Sequence, residues 1–170
     1  MLDRRNLFFV DALGPPPGTD CWHEGPSLIE AVRGVTAAEA IWKPVTKSHS
    51  IWELVLHCAY WKFVVRRFFE QEDAGAFARS PEDWPKTPKD PEEQAWSKDR
   101  ALWRDEHRRL REAIAKLPPK RWDLIPPGGK QSTYAQLVVG ITCHDAHHTG
   151  QIQLLKRLAR TKKIKSRPSA

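Results

Sequence analysis

Prolines divide this chain into segments, and that division constrains the fold more than any other feature of the sequence. Most of the 14 prolines stand in clusters between stretches whose apolar residues recur every three or four positions. Proline is not tolerated inside a helix, whereas that recurrence places apolar side chains on one helical face. We therefore predict an all-α four-helix bundle with short additional helices or turns. The main clusters are Pro15–Pro17, Pro81–Pro91, Pro118–Pro119 and Pro126–Pro127.

The amino-terminal third of the chain is predicted to form the least regular part of the bundle. Ser27 can cap a first helix that runs toward Val35. Thr36, followed three residues later by Glu39, forms a capping box for a short helical turn. A further helical piece, about residues 4–13, precedes both.

The second and fourth long helices are predicted from their starts and their apolar periodicity. Ser50 with Glu53 forms a capping box for the second helix, which we expect to end near Asp73. Thr133 with Gln136 can cap the fourth helix in the same way. Both helices then carry apolar residues at helical spacing, so each is expected to bury one face.

The third helix is predicted to begin at Asp90 as the cap, with Pro91 in its first turn. A seven-residue apolar repeat suits packing in a bundle, and Pro118–Pro119 ends the helix. A turn with a short extended or hairpin excursion is expected near residues 126–129. The repeat consists of Trp96, Trp103, Leu110 and Leu117.

Three histidines suggest a metal site. His144 and His148 are four residues apart in the fourth helix, so their rings stand on one face. His57 lies on the apolar face of the second helix, and packing of the two faces would bring all three rings to one ion. Three histidine ligands leave coordination positions open, which is the catalytic arrangement for zinc-like ions. His147 is an alternative partner for His144, but it falls on the face of Cys143.

Three other residues are candidates to support the ligands from outside. Ligating imidazoles normally donate their second nitrogen to an oxygen. Gln151 is the better candidate, because it lies one turn beyond His148, and Asp145 is the alternative, although a solvated helix residue explains it as well. His107 lies near the face of the third-helix seam, where a core or boundary histidine is the competing interpretation.

The cysteines and the charge argue against other classes of protein. Cys21, Cys58 and Cys143 form no CxxC pair, so we predict neither a disulfide framework nor a thiolate zinc site, and interpret them as small buried packing residues. The net charge of +7 equals the basic run from Lys156 onward, so the rest of the chain is neutral. A helix end that frays into solvent explains this run, and nucleic-acid binding through it is the less favoured alternative.

Length and hydropathy predict one domain, residues 1–170, with a basic tail from about residue 159. No apolar run is long enough for a membrane span. Asp11 interrupts the apolar stretch near the amino terminus before it reaches the length of a signal peptide. We therefore expect a cytoplasmic protein.

The chain also resembles the DinB/YfiT-like superfamily of four-helix bundles, from about Trp22 to Leu158. The similarity is carried by Gly25–Leu28, His49–His57 and Tyr134–Gly140, and most specifically by the string from His144 to Ile152. In that family one histidine of the second helix and two of the last bind the metal. The resemblance therefore implies the ligands His57, His144 and His148.

The resemblance implies several activities. Related groups include metal-dependent thiol transferases that use low-molecular-weight thiols, a thiol-dependent maleylpyruvate isomerase and metal-dependent hydrolases, and homodimers are common. Zinc, nickel, manganese and iron all accept imidazole ligands. Our first hypothesis is an enzyme in which the ion activates a thiol cosubstrate or water to act on a small-molecule substrate. The alternative is a metal-binding or sensor bundle without catalysis.

Overall fold

The computed structural model describes residues 3–14, 26–71 and 75–165, and within these ranges it contains helices and no β-strand. The predicted all-α bundle is confirmed. Three long helices form its body, with three short helices packed against them. The helices are α1 (Arg4–Ala12), α2 (Leu28–Ala31), α3 (Ala37–Ile41), α4 (Ile51–Glu70), α5 (Glu93–Lys116) and α6 (Tyr134–Lys165), and a 3₁₀ turn covers Pro119–Arg121.

The predicted caps start the helices. Ser50 Oγ accepts the backbone N–H of Glu53 at 3.2 Å, and the Glu53 carboxylate accepts the N–H of Ser50 at 2.8 Å. Thr36 and Thr133 begin α3 and α6 with the same reciprocal bonds. Each cap satisfies backbone donors that the first helical turn leaves without partners.

The first predicted long helix is shorter than expected. Ser27 does cap α2, but the helix ends at Ala31 and does not run toward Val35. Gly34 adopts φ +68°, a left-handed conformation that stops the helix and that glycine accepts without steric cost. The predicted end of the second helix near Asp73 lies outside the described residues, and α4 itself ends at Glu70.

The third helix starts later than predicted. Glu92, not Asp90, is the N-cap of α5, and it makes no side-chain capping bond. The first helical residue, Glu93, instead accepts the backbone N–H of Ala37 at 2.7 Å, so its carboxylate caps the start of α3. The seam Trp96, Trp103, Leu110 and Leu117 is buried as predicted.

The connection before α6 is a turn and not a hairpin. The backbone N–H of Tyr134 donates to the carbonyl of Leu124 at 3.1 Å, and that of Ala135 donates to the carbonyl of Trp122. These two bonds close the loop onto the start of α6. The residues between them contain turns but no paired strand.

Helix α4 is the centre of the packing and contacts both α5 and α6. Its first half belongs to an apolar cluster with Trp52 and Trp103, and its second half belongs to another with Val65 and Trp122. Charged side chains are buried, or in the case of Asp145 half-buried, where α4 passes from one cluster to the other. We call these side chains the charge layer: Lys62, Arg66, Glu106 and Asp145.

The basic run at the end of α6 is partly structural. Lys156 Nζ donates to the carbonyls of Ala31 and Arg33 at 3.0 and 2.8 Å, and Arg160 donates to the carbonyl of Gly34 at 3.0 Å. The helix continues to Lys165, so this part of the predicted tail does not fray. None of the described helices combines the length and apolar character needed to cross a bilayer.

Candidate metal centre

The structure brings the three predicted histidines together between α4 and α6. The Nε2 atom of His144 lies 3.0 Å from Nε2 of His57 and 3.2 Å from Nε2 of His148. His57 and His148 are each 7% exposed, and His144 is half-buried. All three rings thus direct the same nitrogen to one point just beneath the surface.

The outer nitrogens of two of these rings are fixed by oxygen acceptors. His57 Nδ1 donates to the backbone carbonyl of Asp83 at 2.9 Å and lies 3.1 Å from the side-chain Oδ1 of Asp83. His148 Nδ1 donates to Oε1 of Gln151 at 2.7 Å. A neutral imidazole carries one N–H, so in both rings Nε2 is left with a lone pair that faces the third ring.

In this arrangement the three rings cannot satisfy one another's hydrogen-bonding groups. His144 Nε2 can donate at most one proton to its two neighbours, and its buried Nδ1 has no hydrogen-bond partner among the described residues. A cation between the three nitrogens would accept every lone pair. Zinc–nitrogen bonds of about 2.0–2.1 Å in tetrahedral geometry place two ligating nitrogens about 3.3 Å apart. The Nε2 atom of His144 lies at nearly that distance from the other two Nε2 atoms. The residues therefore fit a divalent metal ion.

The electrostatics keep the three rings neutral. Burial lowers the pKa of His57 and of His148. Burial, together with the neighbouring His148 and His57, lowers the pKa of His144 to about 3. Metal ligands must be deprotonated, so these imidazoles are held in the ligating form.

The sequence around these histidines also matches a known protein family. The sequence profile of the DinB superfamily matches residues 24–152, which include all three histidines. The chain belongs to the DinB superfamily. No curated protein and no solved structure gives a significant match to it.

The proline-rich connection between α4 and α5 gives this DinB superfamily member support for His57 that the sequence did not predict. Asp83, at φ +65°, turns both its carbonyl and its carboxylate toward the ring, and Trp61 Nε1 donates to that carboxylate at 2.7 Å. Trp84 stacks on His57 with ring centroids 3.9 Å apart and on His49 at 3.7 Å. The ring of His57 is thus held at its edge and on its face.

Two of the predicted supporting residues make no described hydrogen bond to the three histidines. Asp145 is paired with Lys62, and no described hydrogen bond links it to a ligating imidazole. His107 packs against Trp103 on α5, and no described hydrogen bond joins it to the three histidines. Burial, with the charges of Lys62 and Arg111, lowers its pKa to about 3. Gln151 is the predicted residue that does contact a ligand.

The cysteines follow the prediction only in part. Cys58 is fully buried, and burial raises its pKa well above the usual value. Ligand atoms of Cys58, His144 and Asp145 lie within 4.8 Å of one another, so the thiol is closer to the site than its helical position suggested. Cys143 is exposed, which contradicts its interpretation as a buried packing residue. Cys21 lies outside the described residues.

Proposed function

We propose that this DinB superfamily member binds a divalent metal ion through His57, His144 and His148 and acts as a metal-dependent enzyme on a small molecule. The observation that carries the proposal is the convergence of three Nε2 atoms, two of them with lone pairs fixed toward the same point. A bound ion would lower the pKa of a thiol cosubstrate or of water at its remaining position. Zinc, nickel, manganese and iron suit this donor set.

The residues around the ligands preorganise the site. Asp83 and Gln151 fix the tautomer and the orientation of His57 and His148, so little rearrangement is needed when an ion enters. Trp84 covers one face of His57 and excludes water from that side. His144 is half-buried and the neighbouring His147 is exposed, so the cluster lies close to solvent on α6.

Transfer to a thiol and hydrolysis are the two chemistries we propose to test. Both need a nucleophile at the ion, and they differ in whether that nucleophile is a small thiol or water. No described side chain other than Cys58 offers a thiol next to the histidines. Cys58 is fully buried and burial raises its pKa, so we propose that the reacting thiol comes from a cosubstrate.

Elemental analysis of the purified protein tests metal binding. We expect about one equivalent of metal in the wild type and in His147→Ala, which removes an exposed neighbour that contacts Gln151. His57→Ala and His148→Ala should each lose most of the metal, because two imidazoles bind far more weakly than three. Metal retained in both of these variants would refute the site.

An activity panel then separates the enzyme from the non-catalytic alternative. The metal-loaded protein is assayed with several low-molecular-weight thiols and electrophiles, and separately with amides and esters. Activity that requires a thiol and disappears in His148→Ala would support transfer, and activity without a thiol would support hydrolysis. No activity in either assay, with one metal bound, would favour a metal-binding or sensor bundle.

We also propose that the protein works in the cytoplasm as a homodimer. Sedimentation of the full chain tests the oligomeric state, for which a dimer mass is expected and a monomer mass at micromolar concentration would contradict the proposal. Cell fractionation tests the location, and recovery of the protein in the membrane or secreted fraction would contradict it.

A further inference from the structure

A second pocket lies away from the histidines, between α5 and the segment around α2. Its volume is about 170 Å³, and its walls combine apolar and cationic side chains. Val32 is buried and Ile29 is 43% exposed. The residues that matter for its chemistry are Ile29, Val32, Arg33, Arg100, Trp103 and Arg104.

The three arginines of this pocket have no acidic partners among the described residues. Arg33 and Arg104 are exposed, Arg100 is half-buried, and none lies within ion-pairing distance of a described carboxylate. The carboxylate of Glu30, close in sequence to Arg33, accepts the backbone N–H of Ser27 at 2.9 Å. Hydrogen bonds from Ser27, with a smaller contribution from the charge of Arg33, lower the pKa of Glu30. The pocket therefore brings together three guanidinium groups, none of which forms an ion pair with a described carboxylate.

Two of the side chains that line the pocket also carry a buried donor without a described partner. Arg100 Nε and Trp103 Nε1 have no hydrogen-bond partner among the described residues, and Trp103 is only 2% exposed. Leaving a buried donor without an acceptor is costly, so such groups usually mark a bound water, ion or ligand. An oxyanion would supply acceptors and opposite charge together.

We propose that this pocket binds the oxyanion group, phosphate or carboxylate, of a small molecule. Guanidinium groups match the geometry of both anions, and the walls formed by Ile29 and Val32 can accommodate a short apolar body. The volume is below that of pockets for drug-sized ligands, which favours a small anion. This proposal rests on residues outside the metal centre and stands whether or not a metal is bound.

Nuclear magnetic resonance can test the pocket directly. The ¹⁵N-labelled full chain is titrated with sodium phosphate, and separately with sodium acetate, at constant ionic strength set with chloride. We expect the indole N–H resonance of Trp103, assigned with Trp103→Phe, to shift and to saturate. Saturation by both anions, with mutual displacement, indicates a general oxyanion site, whereas saturation by only one of them identifies the group that the ligand carries.

The double variant Arg33→Gln/Arg104→Gln removes the two exposed cations of the pocket and should raise the dissociation constant about tenfold or more. Arg4→Gln removes an exposed arginine on α1 and should bind like the wild type. Circular dichroism confirms that each variant is folded. Shifts that do not saturate with either anion, or saturation that is unchanged in the double variant, would overturn the proposal.

Discussion

The histidine cluster and the charge layer both bury polar side chains against α4, but they satisfy them in opposite ways. In the charge layer each cation has an acid: Arg66 donates to both oxygens of Glu106 at 2.9 and 3.2 Å, and Lys62 is paired with Asp145. In the cluster three neutral nitrogens face one another. The charge layer is internally neutralised, whereas a cation from outside would satisfy the three nitrogens of the cluster together.

The largest effect is expected where a neutralising partner is removed from the charge layer. Lys62→Met leaves Asp145 without its cation in a largely buried position, and the free energy of unfolding should fall by about 3–5 kcal/mol. Urea denaturation of the metal-free protein measures this change.

The exposed pair Arg108–Glu112 provides the matched control for Lys62. Arg108→Met removes the pairs with Glu112 and Asp105 in solvent, where screening leaves little effect on stability. If Lys62→Met destabilised the protein no more than Arg108→Met, the charge layer would not need its internal pairing, and the contrast between the two regions would fail.

The next effect concerns the histidine cluster. Zinc at about 100 times its dissociation constant should stabilise the wild type by about 2.7 kcal/mol, and this gain should vanish in His144→Leu but remain in His147→Ala. Thermal unfolding with and without the metal measures it.

Without metal the cluster should respond to substitution differently from the charge layer. His144→Leu should then be neutral or stabilising, because it removes a buried Nδ1 that has no described partner. A loss as large as that expected for Lys62→Met would show that the three rings stabilise one another without an ion.

His107 provides a third case for comparison, since it is a partly buried histidine that does not belong to the histidine cluster. Its pKa is about 3 in the folded chain against 6.5 in the unfolded chain, so only the unfolded state gains a proton as pH falls below 6.5. By pH 5 this should cost about 2 kcal/mol of stability. His107→Leu should remove that part of the pH dependence in metal-free protein, and an unchanged profile between pH 7 and 5 would contradict the assignment.

The smallest effect is expected at Asp83, which acts on the cluster through His57. Asp83→Ala keeps the backbone carbonyl but removes the carboxylate beside Nδ1, and should weaken zinc binding about tenfold. Asp83→Asn retains an oxygen and tolerates the positive φ, so its affinity should be closer to that of the wild type. Calorimetric titration measures both, and equal affinity in Asp83→Ala would exclude a positioning role.

The sequence predicted those parts of the structure that depend on local spacing. Ser50 with Glu53 caps α4 in the predicted way, and the four-residue spacing of His144 and His148 correctly placed both rings on the face opposite His57. These features need only helical periodicity and the packing of two apolar faces. Gln151 was found for the same reason, because it lies within one turn of His148.

The support from Asp83 could not be predicted, since it depends on a left-handed residue in a connection without periodicity. The charge layer, in contrast, could have been predicted from the third helix, but the sequence analysis missed it. Glu106 stands between Trp103 and Leu110 of the third-helix seam, at a spacing where an apolar residue is expected. Acids at such positions predict buried cations on the facing helix.

X-ray absorption spectroscopy of the zinc-loaded protein, without added thiol, tests the central claim most directly. We predict three imidazole nitrogens at about 2.0–2.1 Å from the zinc and an additional oxygen or nitrogen, with no sulfur neighbour. The spectrum should lose imidazole scattering in His57→Ala and remain unchanged in His147→Ala. A sulfur shell from Cys58, or a first shell without imidazole, would contradict it.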